Sequence, residues 1–288
     1  MKLIVQIPCL NEEETLSATI ADIPRQIEGV DQVEILVIDD GSSDRTSEMA
    51  EQCGADHVIR FPQNKGLGHA FKAGFDLCLK LGADIIVNTD GDNQYYGGDV
   101  DTLARPILEG RAEIVIGDRQ TGEIGHFSPI KRFLQSFGSR AISRMATIDL
   151  PDVASGFRAF SREAALQLTT FTGFDHTAEH AVQAGQRRLA VVNVPIRTNP
   201  KARESRLFSN IGEFVFKSGL ISLRSYTRYR ALKVFSVFGA STFALGLFLG
   251  LRFLYYFLFT DEGDIHIQSV VLARSEERRV GKECRSRW

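Results

Sequence analysis

The chain has 288 residues, of which 43% are hydrophobic and 24% charged, enough for one large domain or two modest ones with an independent core. This excludes a mini-protein, wholesale disorder, and the collagen-like and coiled-coil classes. A formal net charge of −2 argues against nucleic-acid binding, yet it conceals a polarity: residues 1–118 carry 9 basic against 22 acidic side chains, and residues 186–233 carry 11 against 2.

Residues 3–7 form a short apolar, β-branched run ended by Pro8, and an Asn-Glu-Glu-Glu segment then opens a helical pattern through Ile20. A strand beginning at Lys2 leaves no room for a signal stretch, so the N-terminus is expected in the cytoplasm. The cycle repeats, with a strand at 33–38, a turn cluster at 39–44 and a helix at 46–53. A shorter strand follows at 57–60. A Gly-rich loop at 64–68 precedes a helix through Leu81, and a buried strand at 84–88 runs into Thr89-Asp90-Gly91-Asp92. One more strand covers 114–116. Short apolar strands alternating with helices predict an α/β, Rossmann-like, mostly parallel sheet with helices on both faces. Ligands bind such sheets at the carboxyl ends of the strands. Asn11-Glu12, Asp39-Asp40, Asp90-Gly91-Asp92 and Gly117-Asp118-Arg119 all follow strands directly and are expected to converge on one edge.

From 121 to 187 the pattern is mixed, with a basic helix at 131–144 and a loop at Ser155-Gly156-Phe157-Arg158. A late strand is expected at 191–197. Residues 210–233 read as an amphipathic interfacial helix, and 234–260 as a transmembrane helix whose apolar run carries one charge, Arg252. The basic flank precedes it and Asp261-Glu262-Gly263-Asp264 follows, so the positive-inside rule keeps residues 1–233 cytoplasmic. Residues 265–273 begin a second such helix, and 274–288 read as a non-native tail that cuts it short. Cys9, Cys53, Cys78 and Cys284 lack CxxC spacing, which suggests neither a zinc site nor a disulfide framework. His176 and His180 share a helix face without a third ligand or the HExxH glutamate, so the pair is read as structural.

Asp90 and Asp92, one residue apart in a turn, can both approach one hard cation and leave positions open for phosphate oxygens. The bland alternative is a turn rich in Asp and Gly. Context decides between them. The segments Pro8-Cys-Leu-Asn11-Glu12-Glu13-Glu14 and Asp39-Asp40-Gly-Ser-Ser-Asp44, with the DxD downstream, resemble family 2 glycosyltransferases. The resemblance implies a GT-A fold with Pro8, Asn11, Glu12, Asp39, Asp40, Lys65, Gly66 and Asp90 on the nucleotide sugar. It further implies Mg²⁺ or Mn²⁺ on Asp90 and Asp92, with Gln94 beside them. Gly117-Asp118-Arg119, the segment 152–160, Glu179 and Ser205-Arg206 look like the polyprenyl-phosphate branch, the dolichol-phosphate mannosyltransferase-like enzymes. The chain departs from that branch at Leu10, where an aromatic is often found.

That branch implies transfer of a hexose, with inversion, from a nucleotide diphosphate sugar to polyprenyl phosphate at the cytoplasmic face of a membrane. Lys131, Arg132, Ser155 and Arg206 would meet the acceptor phosphate, and Asp92, Arg119 and Glu179 would take part in the reaction. A phosphate monoester is mostly a dianion at pH 7, so no indispensable base is expected. Glu179 serves equally well as a helix acid paired with neighbouring basic residues. Other readings are a family 2 enzyme acting on a hydroxyl acceptor in polysaccharide synthesis, which needs a base, and a non-catalytic nucleotide-binding membrane module. The donor stays open between UDP and GDP and among glucose, mannose and N-acetylhexosamines. No nucleic-acid partner is expected, and the membrane helices leave room for a homo-oligomer.

Overall fold

The computed structural model describes residues 1–120, 143, 146, 148, 151–170, 176–200 and 211–259. Two compact units divide at Arg230. In the first, seven strands form one sheet: β1 (Lys2–Cys9), β2 (Gln32–Asp39), β3 (His57–Arg60), β4 (Ile85–Asn88), β5 (Ile114–Asp118), β6 (Arg158–Ser161) and β7 (Val191–Pro195), in the order β3-β2-β1-β4-β6-β5-β7. The described helices are α1 (Leu16–Ala21), α2 (Thr46–Gln52), α3 (Leu67–Lys80), α4 (Val100–Leu108), α5 (Arg162–Gln167), α6 (Thr177–Arg187) and α7 (Ile211–Phe259).

Strand alternation sends successive side chains to opposite faces. From β1, Leu3, Val5 and Ile7 join Leu16 and Ile20 of α1 and Leu103 of α4, whereas Ile4 joins Phe71 and Phe75 of α3 and Ala181 of α6. Both faces are therefore covered, and β1, β2 and β4 are almost wholly buried. Burial of each such Leu, Ile or Phe is worth about 1.5–3 kcal/mol.

β1 runs parallel to β2 and β4, and β5 parallel to β7, while β6 pairs antiparallel with both β4 and β5. All the parallel strands end on one edge, and β6 starts there. The reading of 155–158 as a loop fails at its last residue: Arg158 opens β6, opposite Asn88 and Ile116. A four-residue strand buried on both faces gives no alternation to detect, which hid it in the sequence. The late strand ends at Pro195 rather than 197; the Ile196 N–H still donates to the Asp118 carbonyl, and the chain then turns onto the segment after the DxD, where Thr198 bridges Tyr95.

In α7 the backbone leaves helical values at Arg230 (φ −130°, ψ 38°), three residues before the boundary expected at 233. The most apolar segment of the helical stretch Arg230–Tyr255 has a mean hydropathy of 1.9 and is entirely unburied. Its 26 residues reach about 39 Å at 1.5 Å per residue, enough for a hydrocarbon core of about 30 Å. Phe235, Phe238 and Phe248 are exposed, unlike the side chains of a buried core helix. This stretch is a candidate membrane span. The expected second helix at 265–273 and the tail at 274–288 lie outside the described residues.

Candidate active site

The loops after β1 and β2 interlock. Asn11 adopts a left-handed conformation (φ 55°), a region Asn tolerates better than most residues. Its N–H donates to Ser42 Oγ at 2.9 Å, and its Oδ1 accepts from the Ser43 N–H at 2.8 Å. The Glu12 N–H donates to Thr46 Oγ1 at 2.9 Å. Asp39 is fully buried; Oδ1 accepts the Ser42 N–H at 2.7 Å, and Oδ2 accepts the Ser47 hydroxyl with Arg60 Nε 3.5 Å away. Asp40 accepts from the backbone of Lys65 at 2.8 Å and of Gly66 at 2.9 Å. These two aspartates thus shape the loops from inside. Gly41 (φ 77°) sits so close to the Gln63–Asn64 peptide that an added Cβ would lie 2.5 Å from Gln63 C. Lys65 Nζ lies 4.7 Å from the centre of the Phe61 ring at the mouth of this turn. Pro8, within β1, is buried behind the same loops.

At the end of β4, Asn88 accepts from Gln6 Nε2 at 3.0 Å and donates to the Gly156 carbonyl at 2.8 Å. This ties the DxD turn to the loop ahead of β6. An added Cβ at Gly156 would stand 3.1 Å from both carboxylate oxygens of Asp90, so the missing side chain gives Asp90 its space. The Gly156 N–H donates to Tyr95 Oη at 3.0 Å. Thr15 and Thr19 donate to the Gly91 carbonyl at 2.8 and 3.3 Å, and Thr15 also donates to Glu12 Oε2 at 2.9 Å. Asp92 accepts the Gln94 N–H at 3.1 Å and Gln94 Nε2 at 2.6 Å.

Asp90, Asp92 and the Gln94 amide form a hard oxygen-donor set suited to Mg²⁺ or Mn²⁺. No group of three or more His, Cys, Asp or Glu side chains converges among the described residues. Two carboxylates fit a cation that takes its remaining ligands from phosphate and water. The cradle left by Gly156 beside Asp90 keeps that position clear, so the residues fit the ion.

Across the same edge, Arg119 donates from Nε and Nη2 to the two oxygens of Asp152 at 2.6 and 2.8 Å. Burial opposes the charge on Arg119, but the fields of Tyr95, Asp152 and Asp90 outweigh it and raise the guanidinium pKa above its usual value. Burial likewise raises Tyr95. Ser155 is fully buried, and its Oγ has no hydrogen-bond partner among the described residues. Arg158 is buried with its guanidinium on the carbonyls of Ser155, Thr177 and Val153. Glu179 is 3% exposed, in the first turn of α6. His176 and His180 lie in an aromatic cluster, His176 stacked 3.7 Å from Phe71.

The structure therefore brings Asp90, Asp92, Gln94 and Arg119 to the edge that also holds the loops of Asn11, Glu12, Asp39, Asp40, Lys65 and Gly66. Lys131, Arg132 and Arg206 lie outside the described residues. Sequence reading passed over Tyr95, Asn88 and Asp152 as site residues. Asn88 precedes the DxD by one intervening residue, Thr89, Tyr95 follows Asn93 and Gln94 after it, and Asp152 stood inside a recognised segment, so proximity to the motif was the available signal.

A mixed α/β sheet of seven strands whose strand ends present an interlocked acidic double loop and a DxD turn is a GT-A-like fold. Residues 4–169 match the family described as Glycosyl transferase family 2, and the chain belongs to that family. It is 32% identical to glycosyltransferase AglJ of Haloferax volcanii, over 82% of this chain and 75% of that one. It is 31% identical to polyprenol monophosphomannose synthase of Mycolicibacterium smegmatis, over 75% of this chain and 85% of the relative. With dolichol-phosphate mannosyltransferase of Pyrococcus furiosus the identity is 33%, over 72% of this chain but 59% of the longer relative. The fold is similar to glucosyl-3-phosphoglycerate synthase of Mycobacterium tuberculosis, solved with Mn²⁺, UDP and glucosyl-3-phosphoglycerate. The TM-score is 0.61 at 22% identity, over 79% of each chain.

Proposed function

We propose that this family 2 glycosyltransferase transfers a hexose from a nucleotide diphosphate sugar to polyprenyl phosphate at the cytoplasmic face of a membrane. The observation that carries the reading is one strand edge that holds the carboxylates of Asp90 and Asp92 together with a guanidinium, Arg119, that feels the charge of Asp90 and is clamped by Asp152. The names of the Mycolicibacterium and Pyrococcus relatives support the acceptor class, and the apolar stretch Arg230–Tyr255 supports membrane association.

The chemistry follows from charge. The donor occupies the loops of Pro8, Asn11, Glu12, Asp39, Asp40, Lys65 and Gly66. An oxygen of the acceptor phosphate attacks the anomeric carbon from the side opposite the diphosphate. The bond from that carbon to the diphosphate oxygen breaks, its electron pair leaves with the nucleoside diphosphate, and the anomeric centre inverts. The nucleophile is already ionised at pH 7, so no proton has to move. Mg²⁺ or Mn²⁺ held by Asp90, Asp92 and Gln94 would supply Lewis-acid stabilisation of the leaving diphosphate. Arg119 orients the acceptor phosphate and offsets part of its charge, with Ser155, Lys131, Arg132 and Arg206 completing its surroundings. Glu179 is assigned to the acceptor side as a positioning group rather than a base.

The test incubates the purified full chain with Mg²⁺ or Mn²⁺, polyprenyl phosphate and labelled UDP-glucose, GDP-mannose or UDP-N-acetylglucosamine. Label in the lipid extract with one donor is expected. Its absence with every donor would overturn the assignment. Loss of turnover by about three orders of magnitude in Glu179→Gln would point instead to a hydroxyl acceptor and a general base.

A further inference from the structure

Past β7 the chain does not leave the sheet edge at once. Ile196 donates its N–H to the Asp118 carbonyl at 3.0 Å, and residues 197–199 then run against the turn that follows the DxD. The Tyr96 N–H donates to the Arg197 carbonyl at 3.3 Å, Tyr95 and Thr198 form an antiparallel bridge, and the Asn199 N–H donates to the Gln94 carbonyl at 2.9 Å. Asn199 Nδ2 lies 3.1 Å from both the carbonyl and the Oδ1 of Asn93. Arg197 adds a second hold: its N–H and Nε reach the two oxygens of buried Asp99 at 2.6 and 2.9 Å, and its guanidinium lies 4.2 Å from the centre of the Tyr96 ring.

Asn93 and Gln94 are the two residues directly after Asp92. Asn93 is left-handed (φ 55°), so the direction of the turn beyond Asp92 depends on keeping a conformation that few side chains favour. Gln94 binds Asp92 through both its backbone and its side-chain nitrogen. One residue, Asn199, fastens both, from 106 positions beyond Asn93. The bonds of Asn199 itself join it to Asn93 and Gln94, partly exposed residues outside both apolar clusters, although the adjacent Tyr95 and Ile196 belong to the first. Their consequence is thus the placement of the turn more than the stability of the core.

We infer that Asn199, assisted by Arg197, is a positioning residue for the cation site, fixing Asp92 through the left-handed turn at Asn93 and the brace of Gln94. This rests on the assignment of Asp90 and Asp92 to a divalent cation. Partners that orient metal-binding carboxylates typically change metal affinity by about 10- to 100-fold when removed.

The test measures Mn²⁺ binding by electron paramagnetic resonance of the free ion, on the full chain in detergent with saturating UDP or GDP. Samples of nucleotide without protein are subtracted. Asn199→Ala and the similarly sized Asn199→Leu are each expected to weaken Mn²⁺ binding by about 10-fold or more while the Tm stays within a few degrees of the parent. Arg197→Gln is expected to weaken it less. Thr198→Ala, whose exposed side chain makes none of these bonds, is expected to bind as the parent does. Unchanged affinity in both Asn199 variants, against a parent that binds Mn²⁺, would overturn the inference alone. So would an equal loss in Thr198→Ala. A parent that binds no Mn²⁺ with either nucleotide would overturn the cation assignment and this inference together.

Discussion

Asp152 and Arg119 meet as a two-pronged ion pair, with the carboxylate almost completely enclosed and the guanidinium about a quarter exposed. Asp152 takes two of the three guanidinium nitrogens, Nε and Nη2, and so fixes the plane of the fork within the field of Asp90. Lysine keeps the charge of arginine but not the fork. Arg119→Lys is therefore expected to lower transfer by about 100-fold, the scale of a misplaced reacting group, mainly as a higher KM for polyprenyl phosphate. Asp152→Asn should show a similar loss together with a lower Tm, because it breaks a pair buried on one side. Steady-state kinetics with the acceptor varied, alongside thermal melts, check both. An unchanged KM for the acceptor in Arg119→Lys would remove Arg119 from the acceptor side.

Gly156 lies beneath the other carboxylate. An alanine there would place its Cβ 3.1 Å from both oxygens of Asp90, a distance that forces the carboxylate to move by a few tenths of an ångström. Gly156→Ala is expected to fold normally, to need more Mn²⁺ for half-maximal transfer, and to lose activity by about 10-fold. A variant with full activity and the parental Mn²⁺ requirement would mean that Asp90 does not depend on this gap.

Asp92→Asn keeps the size of the side chain and its ability to accept from Gln94, and removes the charge. If Asp92 holds a cation that stabilises a leaving diphosphate, the loss is several kcal/mol, about 10³-fold in rate, with no large change in Tm. Activity measured over a Mn²⁺ series checks this. Transfer at the parental rate in Asp92→Asn would exclude Asp92 from the reaction.

The strands of the nucleotide half were legible in the sequence because they are continuous apolar runs, each ended by a polar cluster. Leu3, Ile35 and Ile85 are fully buried as such runs require, and the clusters after them fall on one edge. The antiparallel β6 was not legible. Its four residues include the charged Arg158, buried because three backbone carbonyls receive its guanidinium, and nothing local announces that arrangement. Asp39 and Asp40 read as groups facing a ligand, and the structure turns both inward, Asp39 onto Ser42 and Ser47 that follow it and Asp40 onto the backbone of the neighbouring loop at Lys65 and Gly66. Asn199 could not be found by motif at all, since its partner Asn93 stands 106 positions away, with Gln94 next to it, and only the path of the chain past β7 brings them together.

His176 and His180 offer a test of the core behind the site. Burial pushes the His180 pKa down to about 3 and that of His176 well below its usual 6.5, with nearby Arg158 acting in the same direction. Both imidazoles are therefore neutral in the folded protein, while the unfolded chain takes up their protons near pH 6.5. Below that pH the unfolded state gains protons that the native state does not, so stability present at neutral pH is lost as pH falls from about 6.5 toward 3. Each histidine contributes a slope of up to about 1.4 kcal/mol per pH unit in that window. Both ring nitrogens of His176 are buried without a hydrogen-bond partner among the described residues, so an apolar replacement of similar volume loses no hydrogen bond described there and removes one proton site. His176→Leu is expected to match or exceed the parental Tm at pH 7.5 and to show a shallower fall by pH 5. Melts at pH 7.5, 6 and 5 provide the check, and parallel Tm curves for parent and variant would show that His176 does not set the acid sensitivity.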